Sequence, residues 1–109
     1  MDVISAIEEF NTSLNGTDSY VTLGTHMKSL IEVENVNICA YFLILRFCQS
    51  YVHNYQDQAV DSDFAEKAKY IMTKYLQEIK NDLLNNDGVI SVNVLNNISK
   101  DYVLENKIF

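Results

Sequence analysis

Arg46 and His53 are the two side chains of this sequence whose types and spacing best suit a chemical reaction. They are seven residues apart, which is close to two turns of an α-helix, so a helix places both on one face. A guanidinium group can hold a phosphate while an imidazole moves a proton, and RNA cleavage by a 2′-hydroxyl needs at least these two actions. The spacing therefore makes RNA cleavage one hypothesis for this chain.

The segment from Arg46 to Tyr55 has the sequence Arg-Phe-Cys-Gln-Ser-Tyr-Val-His-Asn-Tyr. It resembles the Arg-x(4–6)-His signature of HEPN ribonucleases, and its final His-x-Tyr is similar to the HEPN toxins that are paired with nucleotidyltransferase antitoxins. The resemblance implies a helical bundle with Arg46 and His53 as catalytic residues and an active site at the interface of a homodimer. Phe47 departs from the pattern, because the family usually has a polar residue after the arginine.

Outside this segment, no group of side chains has the spacing of a known catalytic or metal-binding motif. The two histidines and two cysteines are spaced unlike the ligands of a zinc site. Asp57, Asp61 and Asp63 lack the glycine and the terminal glutamate of a calcium-binding loop. The sequence also has no glycine-rich phosphate loop, no G-x-S-x-G and no H-E-x-x-H. We therefore expect neither a metal ion nor a cofactor.

The composition favours a single all-α domain that covers residues 1–109. Such a length is usual for one domain and is enough to bury a small core without disulfides. Hydrophobic residues make up 48% of the chain and charged residues 21%, which is typical of a folded globular protein. The chain has no proline and only three glycines, whereas small strand-rich domains need more turn residues.

The helix predicted for residues 38–55 is the centre of this domain. Its first eight residues, Ile38 to Leu45, contain no charge and no amide, so we expect them to be buried on every side. After Arg46, polar residues recur at steps of three and four, which predicts that the helix emerges from the core towards its end. Asn35 or Asn37 can cap this helix. We expect a bundle of four to five helices around it.

Two helices are predicted before the central one. Asp2 can cap the first, whose apolar stripe extends to Leu14 and which should end near Gly16. Residues 17–19 can cap the second helix. Gly24 lies inside this second helix, where a glycine costs about 1 kcal/mol relative to alanine.

Two further helices are predicted after the central one. A capping box at residues 63–66 can start a long amphipathic helix, and the Asn-Asn-Asp-Gly sequence at residues 85–88 should end it. The last segment is open to two interpretations. The alternation of residues 90–94 is typical of a strand, whereas Ser91 can cap a helix. We prefer a helix, because no other segment offers a partner for a strand.

The chain is strongly acidic, with a net charge of −7. Residues 1–45 carry six carboxylates and one Lys or Arg, Lys28, so we expect this part of the chain to form an acidic surface. Such a surface repels nucleic-acid backbones and anionic lipids, and it attracts a basic protein through complementary potential. The alternative is that the acidity serves only to keep the protein soluble.

Tyrosine is unusually frequent, with seven in the chain. Its amphipathic ring is favoured at protein interfaces. Tyr51 and Tyr55 lie one turn apart in the central helix and Tyr20 lies in the acidic half, so we predict that these three anchor an interface. The alternative is that the tyrosines line the core and keep their hydroxyl groups in water.

The two cysteines favour a reducing compartment. Cys39 and Cys48 are nine helical positions apart, about 13 Å along the axis, which is too far for a disulfide. We expect buried, reduced thiols and hence a cytoplasmic protein. The N-terminus lacks the basic region of a signal peptide, and the longest apolar run is far shorter than the roughly 20 residues of a membrane span.

A small binding protein is the function that these features favour over an enzyme. We expect an immunity protein or antitoxin of bacterial or phage origin that neutralises a basic toxin, such as a nuclease, because nucleases need positive surfaces. A phage-encoded inhibitor of a host nucleic-acid enzyme would have the same features. The expected contact residues are Glu8, Glu9, Asp18, Tyr20, Glu32, Glu34, Tyr51 and Tyr55.

Two alternatives to this binding protein stay open. One is a HEPN-like ribonuclease that acts as a homodimer through Arg46 and His53. The other is a structural helical subunit of a larger assembly. The sequence leaves the oligomeric state open, and replacement of His53 by alanine separates the ribonuclease from the other two.

Overall fold

The computed structural model describes all 109 residues and contains five α-helices and no strand. The helices are α1 (Val3–Thr12), α2 (Thr17–Val33), α3 (Ile38–Tyr55), α4 (Ser62–Asn85) and α5 (Val92–Leu104). The predicted all-α domain is confirmed, and α3 has the bounds predicted for the central helix. The last segment is a helix, as preferred, with the Ser91 hydroxyl accepting a bond from the backbone N of Val94.

Helices α3 and α4 run in opposite directions. Tyr55, at the end of α3, packs against Phe64 at the start of α4, with ring centroids 5.1 Å apart. Two turns earlier in α3, Phe47 packs against Tyr75 in the middle of α4, at 5.9 Å. Large aromatic rings therefore fill the space between these two helices.

Helices α4 and α5 are antiparallel as well. The Asp82 carboxylate accepts a 2.5 Å hydrogen bond from the backbone N of Ser91, and the Asp101 carboxylate accepts a 2.7 Å bond from the Tyr75 hydroxyl. Because all neighbouring helices alternate in direction, their connections lie at two ends of the bundle. One end, called the Asn37 end here, comprises the α2–α3 connection, the α4–α5 connection and the first residues of α1.

Asn37 links the two connections at this end. Its side chain is buried, and Nδ2 donates a 2.9 Å hydrogen bond to the carbonyl of Gly88 while Oδ1 accepts a 2.9 Å bond from the backbone N of Ile90. Asn37 is the residue before α3, but its side chain makes no capping bond. The predicted cap by the Asn37 side chain is therefore wrong, because the amide bonds to a segment more than 50 residues away.

The core is organised around the buried ring of Phe109, which the sequence analysis did not single out. The Tyr102 hydroxyl donates to the backbone carbonyl of Phe109 and holds this end of the chain against α5. Five other rings surround Phe109 at centroid distances of 5.4 to 6.3 Å: Phe47, Tyr51, Tyr20, Tyr75 and Tyr102. This single ring thus contacts residues of four helices.

Helix α1 ends at Thr12, before the predicted end near Gly16. The helix ends because Ser13 has an extended backbone, with φ −81° and ψ 171°. Lys69 Nζ in α4 donates to the carbonyls that follow the helix, those of Ser13 at 2.6 Å and Leu14 at 3.3 Å. These carbonyls have no partner within the helix, so the Lys69 ammonium group satisfies them and holds this connection against α4. Leu14 was predicted in the apolar stripe of α1, but it lies outside the helix and is 85% exposed.

Helix α4 starts two residues earlier than the predicted capping box implies. The Asp61 carboxylate caps it by accepting a 2.8 Å bond from the backbone N of Asp63, so Asp63 is not the cap. The predicted end is confirmed, since the helix stops at Asn85. Gly88 has a φ of 79° and its N–H donates to the Leu83 carbonyl at 2.9 Å, which closes the last turn.

The start of α3 is less buried than predicted. Ala40, Tyr41 and Ile44 are buried, but the uncharged run is not covered on every side, and this part of the prediction is wrong. Cys48 is buried as expected, whereas the expected burial of Cys39 is wrong. Three residues of the run are exposed to solvent: Ile38, Cys39 and Phe42. The apolar run thus supplies both core and surface at the Asn37 end.

We predict that Asn37→Ala lowers the free energy of unfolding by about 1–3 kcal/mol, because it leaves the buried N–H of Ile90 without a partner and removes the bond to the Gly88 carbonyl. Urea denaturation followed by circular dichroism measures this change. Asn35→Ala is the matched control, since Asn35 is exposed and makes no side-chain hydrogen bond, and its effect should stay within about 0.5 kcal/mol. Equal effects of the two substitutions would contradict the role of Asn37.

Truncation of the Phe109 side chain should destabilise the fold more than Asn37→Ala does. We expect Phe109→Ala to destabilise the fold by about 3–5 kcal/mol, the usual cost of removing a large buried aromatic side chain. Phe42→Ala makes the same chemical change at an exposed position and should cost far less. Thermal and urea unfolding of both variants compare them, and similar losses would disprove the central position of Phe109.

Stability should also fall in alkaline solution. Burial raises the pKa of Tyr20, Tyr51, Tyr75 and Tyr102, and it raises the pKa of Tyr41 to about 12. In the unfolded chain these phenols ionise at about pH 10. The stability that these protonated tyrosines contribute is therefore complete below about pH 10. It is lost as the pH rises further, because the unfolded state releases the phenol protons first.

Tyrosinate absorbance and helical circular dichroism, recorded together from pH 8 upwards, test this prediction. We expect most of the absorbance change to coincide with the loss of helix. Ionisation of all seven tyrosines near about pH 10 with the helix signal intact would contradict it.

Candidate protein-binding surface

The five carboxylates predicted to contact a partner do not form one surface. Glu8 and Glu9 lie on α1, and Asp18 lies in the first turn of α2, away from the Asn37 end. Glu32 and Glu34 lie at the opposite end of α2, and the fourteen positions between Asp18 and Glu32 correspond to about 21 Å. Of the five, Glu32 and Glu34 alone belong to the Asn37 end.

The two carboxylates of α1 point to different neighbours. Glu8 Oε1 lies 3.4 Å from Lys80 Nζ in α4, whereas Glu9 Oε1 lies 3.2 Å from His26 Nε2 in α2. Adjacent residues of a helix are about 100° apart around its axis, and these two carboxylates accordingly pair with residues of different helices. These exposed pairs add little stability, and Lys80 offsets the charge of Glu8.

The carboxylates at the Asn37 end differ in burial. Glu34 is half-buried, and its Oε1 accepts a 3.0 Å hydrogen bond from the Tyr41 hydroxyl. Glu32 is exposed and has no ionic partner within the chain. Glu34 is thus fixed in position beside the core, and Glu32 is free to contact another molecule.

Two of the three predicted tyrosine anchors are core residues. Tyr20 and Tyr51 are 0% and 1% exposed and stack with ring centroids 4.1 Å apart. The expectation that they contact a partner at the surface does not fit these positions. Tyr55 is half-buried against Tyr51 and Phe64 and retains an exposed edge.

The Tyr20 hydroxyl is the one buried side-chain polar atom without a hydrogen-bond partner. Burial raises the pKa of Tyr20 well above the ordinary range, so the phenol stays protonated and is a donor without an acceptor. Such a group costs about 1–3 kcal/mol of stability. The fold thus retains an unfavourable feature at this position.

Arg46 and His53 lie on one face of α3, as the spacing predicted, and both are exposed. The Arg46 Nη1 atom donates a 2.9 Å hydrogen bond to Gln49 Oε1, and Gln49 lies between the two residues in sequence. Seven helical positions correspond to about 10.5 Å along the axis, so the two side chains meet at one group only if both extend towards it.

The structure reveals an exposed apolar surface that the sequence analysis missed. Eight of the thirteen large hydrophobic residues that are exposed belong to the Asn37 end or the adjacent helical turns. Val36 and Ile38 flank Asn37, while Val89 and Val92 lie in or beside the segment that Asn37 binds. We call the following set the apolar cap, whose members are 37% to 77% exposed: Val33, Val36, Ile38, Val89 and Val92.

The charged side chains around the apolar cap are all carboxylates. Residues 1–7, 29–45 and 81–99 cover this end of the bundle and the adjacent helical turns, and they contain no Lys, Arg or His. The same three segments contain five carboxylates: Asp2, Glu32, Glu34, Asp82 and Asp87. The Asn37 end thus combines exposed aliphatic side chains with uncompensated negative charge.

One feature of the sequence does point to this surface. The eight uncharged residues from Ile38 to Leu45 exceed what one face of a helix in a 109-residue bundle can bury. Complete burial was one solution, and exposure of the excess apolar residues at an interface was the other. The long-range bonds of Asn37, which bring the second connection alongside, have no local sequence signal.

No group of three or more His, Cys, Asp or Glu side chains is arranged to hold a metal ion. None of the five helices has the length and apolar character needed to cross a membrane. Both cysteines are free thiols, Cys39 at the surface and Cys48 in the core.

The comparisons with known proteins identify no relative. The chain matches no protein-family model, no curated protein and no solved structure. The description of this surface therefore depends on the geometry of the chain alone.

Proposed function

We propose that this protein is an immunity protein or antitoxin that neutralises a basic toxin, such as a nuclease, by binding it through the Asn37 end. The observation that carries the proposal is the apolar cap, with carboxylates around it and no basic side chain in the same segments. Exposed apolar clusters of this kind are typical of protein interaction sites.

The charge distribution supports a basic partner. A net charge of −7 on 109 residues steers positively charged proteins towards the molecule and repels nucleic acids and other copies of the chain. A toxin that holds nucleic acid must present clustered Lys and Arg. Glu32 and Asp87, exposed at the border of the apolar cap, are placed to pair with such groups.

The apolar cap supplies the part of the affinity that charge does not. Exposed charge pairs contribute about 0–1 kcal/mol each, whereas desolvated apolar anchors near the centre of an interface contribute more. The aliphatic side chains Val36, Ile38 and Val92 take the role that the sequence analysis gave to Tyr20 and Tyr51. The free thiols agree with action in the cytoplasm, where a toxin would be neutralised before it reaches its target.

Serine substitutions of Val36 and Val92 together should weaken partner binding by at least about tenfold, because they remove two apolar anchors and keep the charge. The tagged chain is first used at low salt to recover its partner from its native cells. Binding of the purified partner is then measured by calorimetry for the original chain and the variant. Since both valines are exposed, at 67% and 69%, the variant should fold normally.

Val103→Ser with Leu104→Ser is the matched control. These residues are similarly exposed, at 61% and 65%, but lie at the end of α5, opposite the Asn37 end. A single basic partner that binds this control as well as the original chain, and whose toxicity the chain suppresses, supports the proposal. Unchanged binding of the Val36 and Val92 variant, or equal losses in both variants, would contradict binding through the apolar cap.

The alternative function, a HEPN-like ribonuclease homodimer, has support from the exposure of Arg46 and His53 on one face of α3. It predicts RNA cleavage by the purified chain and its loss in His53→Ala. That result, together with the absence of a basic partner, would overturn the proposed binding function.

A further inference from the structure

A groove between α2 and α3 is a second candidate site, on a different part of the molecule from the Asn37 end. Its volume is about 410 Å³, and Tyr20, Gly24 and Cys48 lie at its base. The groove exists in part because residue 24 has no side chain: a Cβ there would lie 3.4 Å from Cys48 Cβ and 3.5 Å from Leu45 Cδ1. The inference drawn from it is independent of the proposed function.

The charge of this groove is opposite to that of the rest of the molecule. None of its eleven lining residues is a carboxylate, although the chain has fifteen. Lys28 and His53 both line it. Lys28 and Arg46 are the only Lys or Arg among the first 66 residues, and Arg46 bonds to Gln49, which also lines the groove.

Hydrogen-bond donors without acceptors are concentrated in the groove. Lys28 makes no hydrogen bond or ion pair within the chain. The Gln49 carbonyl oxygen accepts from Arg46, so the remaining polar atom of that amide is its N–H₂ group, a donor. The fully buried Tyr20 hydroxyl is the third free donor.

Such an arrangement suits a ligand that contributes only acceptors. Carboxylates and phosphates are acceptor groups, and a cation beside them strengthens each hydrogen bond. The other walls of the groove are the aliphatic side chains of Val21, Leu45 and Val52, which suit an apolar body.

We propose that the α2–α3 groove binds a small amphiphilic anion, with a carboxylate or phosphate head group held by Lys28 and Gln49 and an apolar body against Val21, Leu45 and Val52. An acceptor atom at the base of the groove satisfies the Tyr20 hydroxyl.

Titration of the isotope-labelled full chain with hexanoate and with hexyl phosphate, followed by amide chemical shifts, tests this site. Both probes should shift the signals of Thr25, Lys28, Gln49 and His53, and the stronger of the two identifies the preferred head group. Inorganic phosphate should bind more weakly, because it lacks the apolar body, and hexylammonium should not bind. Equal effects of hexylammonium, or shifts spread over the whole surface, would overturn the proposal.

Lys28→Gln should weaken the affinity for the preferred probe about tenfold, the effect of losing one charge-assisted hydrogen bond. Lys100 on α5 is also an exposed lysine, but it does not line the groove. Lys100→Gln should therefore leave the affinity unchanged. Unchanged affinity in Lys28→Gln would contradict the site.

Tyr20→Phe separates binding from folding. Removal of the hydroxyl should raise the unfolding midpoint of the free protein, because the buried donor has no partner there. The same substitution should lower the affinity for the preferred probe several-fold. A stabilised variant with unchanged affinity would show that the hydroxyl plays no part in binding and would remove the base of the groove from the proposed site.

Discussion

The hydrogen bonds of the buried Asn37 amide determine how the two connections of the Asn37 end lie against each other. The amide donates to Gly88 and accepts from Ile90, each at 2.9 Å, and so joins segments that are more than 50 residues apart in sequence. This places Val36 and Ile38 of one connection beside Val89 of the other. Without these bonds the aliphatic residues would belong to two independent loops, and the apolar cap would not be one surface.

The distribution of aromatic residues explains why the Asn37 end has exposed apolar residues. Phe109 and its five neighbouring rings fill the bundle at the level of the second half of α3. The first half of α3, which has the most apolar sequence, lies outside this group of rings and leaves Phe42 exposed. The core is thus closed by rings that the sequence analysis had in part assigned to the surface.

Two surfaces of opposite character follow from this architecture. The Asn37 end has carboxylates around an aliphatic centre and no basic side chain, whereas the α2–α3 groove has Lys28 and His53 and no carboxylate. In a chain with a net charge of −7, this separation keeps the few basic groups of the first half of the chain away from the acidic end. The apolar cap and the groove share no residue, so the two proposed sites do not overlap.

Local signals in the sequence were enough to predict the helices. Capping by Asp2 and Ser91, the stop after Asn85 and the apolar stripe of α4 all depend on residues within a few positions of each other. Long-range contacts decided the features that were missed. Lys69 in α4 holds the α1–α2 connection through the Ser13 carbonyl, and Tyr20 and Tyr51 are buried by residues distant in sequence, including Phe109.

The candidate site was predictable only in part, for the same reason. The acidity of Glu32 and Glu34 is evident from the sequence, but their separation from Glu8, Glu9 and Asp18 depends on the direction of each helix. The aliphatic members of the apolar cap come from three elements, and no periodic pattern marks them as one group.

Hydrogen–deuterium exchange of the chain, alone and in complex with its purified basic partner, tests the central claim most directly. If the Asn37 end is the binding surface, amides of residues 33–39 and 86–93 gain protection in the complex while those of the α1–α2 connection do not change. Protection confined to the exposed face of α3 around Arg46 and His53, or to the α1–α2 connection, would contradict the account.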